Sequence, residues 1–191
     1  MPTQSLPFNA TKETQFKGHA YGVENQNNVI PDRLYDNMQL TQYVSASTDP
    51  ELGASSFRKF MIPGSSNVLL AVSFGGATDW RTDVLCVVNT FGIVVSTLEA
   101  AVCVTDVYVK QFRIDAQNQI IVTTIKPVST VSIPLATFSS FSGYRQDISY
   151  VINEQGQFVQ NTATTYQSKT YTRSYLMNES INLWEGEETP L

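Results

Sequence analysis

The sequence predicts an all-β, mainly antiparallel fold: a β-sandwich or flattened barrel of about eight strands, built from successive hairpins and containing little helix. One observation is compositional. Val, Ile, Thr and the aromatic residues, all of which favour strands, make up 71 of the 191 residues. The other is a set of three turn signals that divide the second half of the chain into hairpins.

The three turn signals share one pattern, in which Asn or Asp begins the turn and Gly or Asn stands three positions later. An Asn or Asp in the first position suits a type I turn, and Gly or Asn tolerates the left-handed backbone that closes a bulged hairpin. The signals lie at residues 89–92, 115–118 and 153–156. They predict three strand pairs: 84–89 with 93–98, 102–114 with 119–126, and 144–152 with 157–176.

The last predicted strand is too long to be regular, so we expect a bulge or bend near residues 161–165. Residues 57–62 and 68–74 flank a Pro-Gly-Ser-Ser turn and predict a fourth hairpin. Residues 32–44 predict a further strand, because their apolar residues alternate. The polar residues 1–20 predict a flexible N-terminal arm, and residues 21–191 a single β domain.

Residues 84–88 and 120–122 are apolar at successive positions, which is typical of strands covered on both faces. Residues 144–152 alternate instead. Arg145, Asp147 and Ser149 share one face there, and we expect that face to be solvated.

The composition bears on partners and location. Ser, Thr, Asn and Gln account for 63 residues while charged residues are only 15%, which favours a secreted or cell-surface protein whose leader would precede Met1. The net charge is −5 and the 12 basic residues are scattered, so we expect no nucleic-acid partner. We expect no membrane insertion either, because no apolar run approaches 18 residues.

Cys86 and Cys103 are the only cysteines. In the predicted meander they lie two strands apart, about 9.6 Å, which is beyond the reach of a disulfide. We therefore predict two free, buried thiols.

Catalytic signals are scarce. His19 is the only histidine, so a nucleophile would lack the usual base, and no phosphate-binding glycine loop is present. One His and two separated Cys would make an unusual zinc site. We expect no cofactor and no bound metal.

The loop at residues 75–83 is the most unusual segment. Its two glycines permit close approach of a ligand, Trp80 offers a flat surface, and Asp79 and Asp83 flank Arg81. These four side chains are a candidate ligand-binding set. The two carboxylates could instead support sugar hydrolysis or hold calcium, or the loop could be purely structural.

A second candidate set lies near the C-terminus. If residues 169–176 form one strand, then Tyr171, Arg173 and Tyr175 share a face with Lys169 and could stack on sugars or anchor a protein. The alternative is a solvated sheet face stabilised by cross-strand pairs.

These features favour a noncatalytic binding or interaction module for a glycan or a protein ligand. One alternative is a carboxylate-dependent hydrolase using Asp79, Asp83 or Glu99. Another is a small-ligand carrier with an internal cavity lined by the Val-rich and Ile-rich strands.

Overall fold

The computed structural model describes residues 3–12, 53–75, 80–130 and 132–191, and there the all-β prediction is confirmed. The strands form one antiparallel sheet that does not close into a barrel. They are β1 Phe8–Asn9, β2 Gly53–Met61, β3 Val68–Gly75, β4 Trp80–Val88, β5 Val94–Val104, β6 Val107–Ile114, β7 Ile120–Pro127, β8 Ser140–Ile152, β9 Phe158–Thr165 and β10 Lys169–Thr172. A short helix α1, Arg173–Met177, and a 3₁₀ helix, Leu183–Glu185, follow.

The sheet order is β10-β8-β7-β6-β5-β4-β3-β2, so most strands pair with their neighbours in sequence. The 13-residue strand β8 is long enough to pair along the same edge with both β10 and β9. The two-residue strand β1 pairs with the end of β6. Hairpin connections of this kind follow directly from the short turns of the sequence.

All three predicted turns are confirmed. Gly92, Asn118 and Gly156 have φ of 77°, 64° and 78°. Each donates its backbone N–H to the backbone carbonyl of the first residue of its turn. The hairpin of β2 and β3 also forms, with Gly64 at φ 70°. The expected irregularity in the long C-terminal strand is a bulge at Asn161, which the β8–β9 register skips.

The prediction of one strand over residues 102–114 is wrong, because the chain reverses at Thr105 and Asp106. Both residues have positive φ, 47° and 63°, and they connect β5 to β6. Tight hairpin turns of this geometry usually contain Asn or Gly. The Thr-Asp pair therefore carried no turn signal.

Side chains of β2–β5 and of β6–β9 contribute to one shared apolar core. Phe8 packs against this core, with ring centroids 5.2 Å from Phe60 and 5.9 Å from Phe112. Phe8, Ala10 and Lys12 are buried, whereas residues 13–20 lie outside the described part of the chain, so the flexible arm over residues 1–20 stays a prediction. Lys12 anchors the segment, since its buried Nζ donates to the carbonyls of Tyr175 and Asn178 at 3.2 and 3.1 Å.

Residues 84–88 of β4 are buried on both faces, as predicted. The solvated face predicted for β8 is a correction: Arg145, Asp147 and Ser149 are only 5, 8 and 6% exposed. Arg145 is covered by residues 184–188, and the side chains of Tyr166 and Thr162 contact Asp147 and Ser149, so this polar face is an interior layer. The predicted strand at residues 32–44 lies outside the described residues.

The strand predicted over residues 157–176 is two separate strands, β9 and β10, and β10 ends at Thr172. The Thr172 hydroxyl accepts the backbone N–H of Tyr175 and caps α1, whose Leu176 is fully buried. A cap of this kind stabilises the first turn of a helix and stops the extended chain.

Cys86 and Cys103 are both free and buried, as predicted, but for a different reason. They lie on adjacent strands, where Cys86 pairs with Thr97, six residues along β5 from Cys103. That offset is about 20 Å. No helix among the described residues is long and apolar enough to cross a bilayer.

Candidate functional site

The first predicted set, in the loop at residues 75–83, does not form a cleft in the described part of the chain. Residues 76–79, including Asp79, lie outside the described residues. Trp80 and Arg81 begin β4. The Asp83 side chain is buried and accepts a hydrogen bond from the Ser73 hydroxyl. Asp83 therefore belongs to the sheet interior.

Arg81 and Arg173, which the sequence placed in two separate motifs, converge on the same turn. Arg81 forms an ion pair with Asp106 at 2.7 Å. Arg173 donates to the carbonyl of Thr105 at 3.3 Å and to that of Leu135 at 2.6 Å. The two cations brace the strained β5–β6 turn, which is a structural role that the spacing in sequence did not reveal.

The second predicted set does not share a strand face. Tyr171 is on β10 and 1% exposed, whereas Arg173 and Tyr175 are on α1. The Tyr171 and Tyr175 rings pack against each other with centroids 6.0 Å apart. Tyr171 is thus a core residue, and the exposed aromatic face predicted from alternation is absent from this part of the described structure.

Tyr171 instead helps to form a socket for the carboxylate of Glu188, made by Arg145 of β8 with Lys169 and Tyr171 of β10. Lys169 Nζ lies 2.6 Å from Glu188 Oε1, the Tyr171 hydroxyl donates to that oxygen at 3.0 Å, and Arg145 Nη1 donates to Oε2 at 3.1 Å. The Glu188 side chain is 1% exposed. We call this arrangement the Glu188 socket.

The socket continues into a buried ionic layer on the face of β6–β8 opposite the shared apolar core. Asp147 lies 3.5 Å from Arg145 and 3.6 Å from Arg113, and accepts a hydrogen bond from the Tyr166 hydroxyl at 3.3 Å. The Arg145 guanidinium carbon is 3.7 Å from the Tyr166 ring centroid. Buried cations require such partners, because desolvation of an unpaired charge is costly.

The surroundings of the Glu188 socket favour an ionised Glu188 and a protonated Tyr171. Burial alone would oppose ionisation of Glu188, yet hydrogen bonds from Lys169 and Tyr171 outweigh it and hold the Glu188 pKa below its usual range. Burial and the nearby Glu188 charge raise the pKa of Tyr171 well above its usual value. Tyr171 therefore remains a hydrogen-bond donor at neutral pH.

Beside the socket lies an open groove of about 540 Å³. Its lining residues are uncharged side chains of β8 and of the β9–β10 connection, together with the last residue of the chain. They are Tyr144, Gln146, Thr165, Tyr166, Gln167, Ser168 and Leu191. We call this the polar groove.

Contacts with neighbouring residues hold some of the groove side chains in place. Gln146 accepts a hydrogen bond from Lys126 Nζ at 2.6 Å and donates to the Thr165 hydroxyl at 3.4 Å. The Tyr166 ring rests on Arg145. Tyr144 and Tyr166 are half-buried, while Gln167 and Ser168 are exposed. The groove thus combines oriented aromatic rings with accessible amide and hydroxyl groups.

A second, smaller cleft of about 210 Å³ opens between the β2–β3 hairpin and the ends of β6–β8. Its walls are mostly aliphatic and include Phe60, Leu69 and Ile152, while Gln117 and Asn118 supply the polar atoms. We call this the apolar cleft. Val151 at its edge is 37% exposed.

Sequence reasoning missed Tyr144, Tyr166 and the Glu188 socket. One signal was present: Arg145 and Asp147 share one face of β8, and residues 185–188 include three glutamates that could pair with Arg145. Nothing local indicated that the two segments meet.

Among the described residues, no three side chains of His, Cys, Asp or Glu come together as a metal site. Neither the polar groove nor the apolar cleft is lined by an Asp or Glu side chain.

Comparison of the chain with protein-family models, curated proteins and solved structures finds no match.

Proposed function

We propose that this protein is a noncatalytic binding module and that its polar groove binds a glycan. The observation that supports this most directly is the chemistry of the groove walls: two half-buried tyrosines stand among amide and hydroxyl side chains. Sugar rings present apolar faces that pack on aromatic rings, and hydroxyls that exchange hydrogen bonds with amides. A volume of about 540 Å³ is in the range of ordinary ligand sites.

The uncharged polar composition supports the same proposal and a location outside the cytoplasm, where glycans are abundant. The hydrolase alternative gains no support from the described residues. The Asp83 carboxylate is buried against Ser73, and Glu99 pairs with Lys110. Two carboxylates facing one cleft would be needed for that chemistry.

Binding of the purified protein to an immobilised panel of oligosaccharides, followed by calorimetry with the best binder, tests the proposal. Replacing Tyr144 by Ala should weaken binding at least tenfold, about 1.4 kcal/mol. Phe91→Ala is the matched control, because Phe91 is an aromatic residue 85% exposed on a turn outside the groove. Equal losses in the two variants, or no binding by the wild type, would contradict the proposal.

The apolar cleft supports a second candidate function, carriage of a small apolar ligand. Its volume of about 210 Å³ is below that of most ligand sites, so the ligand would be a small aliphatic or aromatic molecule. The Val151→Glu variant places a charge at the rim of the cleft. The control, Val159→Glu, places a charge on the residue of β9 that pairs with Val151 and lies outside the cleft. Binding of a fluorescent apolar probe should fall in the first variant alone. An equal response of both would exclude the cleft.

A further inference from the structure

The Glu188 socket holds one carboxylate with three donors from the sheet. Arg145, Lys169 and Tyr171 lie on β8 and β10, while the carboxylate belongs to the tail at residues 186–191. Charge-assisted hydrogen bonds to both oxygens make this a complete carboxylate-binding geometry. The donors belong to the sheet and the ligand belongs to the chain end.

The donors are also held by groups other than Glu188. Arg145 donates to the Trp184 carbonyl at 3.2 Å and rests on the Tyr166 ring. Lys169 Nζ lies 5.0 Å from the Tyr171 ring centroid and 5.1 Å from that of Tyr175. The socket is therefore preorganised and would keep its shape if another carboxylate replaced Glu188.

With the rest of the described chain, the tail makes three other hydrogen bonds. Gln167 N–H donates to the Thr189 carbonyl and Leu191 N–H to the Thr165 carbonyl, both at 2.9 Å, and Arg145 Nη1 donates to the Gly186 carbonyl at 3.4 Å. The residues on either side of Glu188 are exposed, whereas Leu183, which precedes the tail, is fully buried. Movement of residues 187–191 away from the sheet would thus leave Leu183 and the apolar core beneath α1 covered.

Gly186 is the residue that lets the Glu188 side chain fold back into the socket. A Cβ atom at Gly186 would overlap both carboxylate oxygens of Glu188. Its φ of −71° is one that any residue adopts, so Ala at this position adds no backbone strain. The contact is a purely steric constraint on the position of the carboxylate.

The tail also forms one wall of the polar groove through Leu191, and Tyr166 belongs to both the groove and the ionic layer. We propose that the socket is a binding site for the carboxylate of an acidic sugar, and that Glu188 occupies it when no such ligand is bound. This inference rests on the proposed glycan-binding function. Displacement of the tail leaves Arg145 and Lys169 to pair with the ligand, beside Tyr166, which also lines the groove.

The exchange is balanced in charge, because one carboxylate replaces another. A ligand can shift the tail only by the difference in its affinity for the two arrangements. A neutral sugar gains nothing from an open socket, whereas an acidic sugar gains two cations and a phenol. The open arrangement should therefore discriminate between sugars that differ only in a carboxylate.

Titrations of glucuronic acid and glucose, followed by NMR, test this in three variants. Glu188→Ala removes the carboxylate from the socket, Glu188→Gln removes only its charge, and Glu187→Gln is the control, with the same charge change at an exposed neighbour. Glucuronic acid should bind Glu188→Ala and Glu188→Gln at least tenfold more tightly than the wild type. Its affinity for Glu187→Gln, and the affinity of glucose for every variant, should remain as in the wild type.

Addition of Lys169→Met to Glu188→Ala should abolish the gain for glucuronic acid, which shows that the gain arises in the socket. An unchanged glucuronic acid affinity in Glu188→Ala, with native spectra, would overturn the inference. So would an equal gain for glucose. The Tyr144→Ala variant separates the two proposals: if it weakens glucose binding while Glu188→Ala has no effect, then the groove is correct and the socket is wrong. The opposite pattern retains the socket and rejects the groove.

Discussion

Tyr171 and Glu188 form a hydrogen bond of 3.0 Å, with both side chains 1% exposed, although one residue belongs to an edge strand and the other to the chain end. The pair joins the tail to the sheet. The ring and the hydroxyl of Tyr171 contribute separately to stability, so two substitutions can test them one at a time.

Replacement of Tyr171 by Ala should lower the free energy of unfolding by about 3–5 kcal/mol, because it removes a buried aromatic ring. Tyr171→Phe should cost about 1.5–3 kcal/mol, because only the hydrogen bond to a charged group is lost. Urea unfolding measures both. A Tyr171→Ala variant as stable as the wild type would show that the ring is exposed, as alternation in the sequence predicted.

The Glu188 socket should make stability depend on pH. The folded-state pKa of Glu188 lies below that of the unfolded chain, so its contribution is fully present above the unfolded pKa, about 4.3. It is lost as the pH falls through the lower, folded-state value. The difference in unfolding free energy between wild type and Glu188→Gln should therefore shrink as the pH is lowered from 7 to 3. A difference that stays constant with pH would contradict the pairing.

Both thiols should be unreactive in the native protein. Burial raises the pKa of Cys86 to about 12, and burial likewise raises that of Cys103 to about 11, although Arg81 acts in the opposite direction. A thiol-disulfide reagent at pH 8 should label neither residue in minutes, and two equivalents after denaturation without reductant. Fast labelling of one native thiol would contradict its burial.

Gly92 and Gly156 share a positive φ but differ in their surroundings. A Cβ at Gly92 meets no atom within 4 Å, while at Gly156 it would lie 3.0 Å from Asn67 Nδ2 and 3.1 Å from Val95 Cγ1. Gly92→Ala should cost about 1 kcal/mol from backbone strain alone, and Gly156→Ala more, since packing must also adjust. Chemical denaturation of the two variants side by side gives the comparison. Equal costs would mean that crowding at Gly156 is relieved freely.

Thr105 is a β-branched residue at φ 47°, which is a strained position. Thr105→Asn should raise the free energy of unfolding by about 0.5–1 kcal/mol, since Asn tolerates the left-handed region. Thr90→Asn, in the exposed β4–β5 turn, is the control and should change little. A loss of stability in Thr105→Asn would indicate that the Thr105 hydroxyl contact with the Leu135 carbonyl matters more than the strain.

Local chemistry explains which parts of the fold could be predicted. The turns ending at Gly92, Asn118 and Gly156 contain residues chosen for their backbone geometry, so four residues suffice to identify each one. The turn at Thr105 forms without such a residue because Arg81 and Arg173 brace it from distant parts of the chain. No window around Thr105 contains that information.

The candidate site could not be predicted for a related reason. Alternation correctly divided β8 into two faces, but not which face would be covered, because the cover over Arg145 arrives from residues about 40 positions later. The pattern of residues 172–176 fits one turn of helix as well as a strand. The hydrogen bond to the Thr172 side chain, which caps α1, decides in favour of the helix. The tyrosines of the polar groove lie apart in sequence and meet only in the folded sheet.

The bulge at Asn161 bears on how neighbouring molecules interact at high concentration. Among the described strands β9 pairs with β8 alone, and its eight residues contain no Lys, Glu, Asp, Arg or Pro to repel another strand. Leu191 N–H donates to the carbonyl of Thr165 at its end, but an uncharged edge that no other described strand covers would ordinarily template intermolecular sheet growth. The bulge divides it into runs of three and four residues that are out of phase, each shorter than a typical strand. Deleting Asn161 would remove this division, and we therefore expect the shortened chain to aggregate more readily than the wild type.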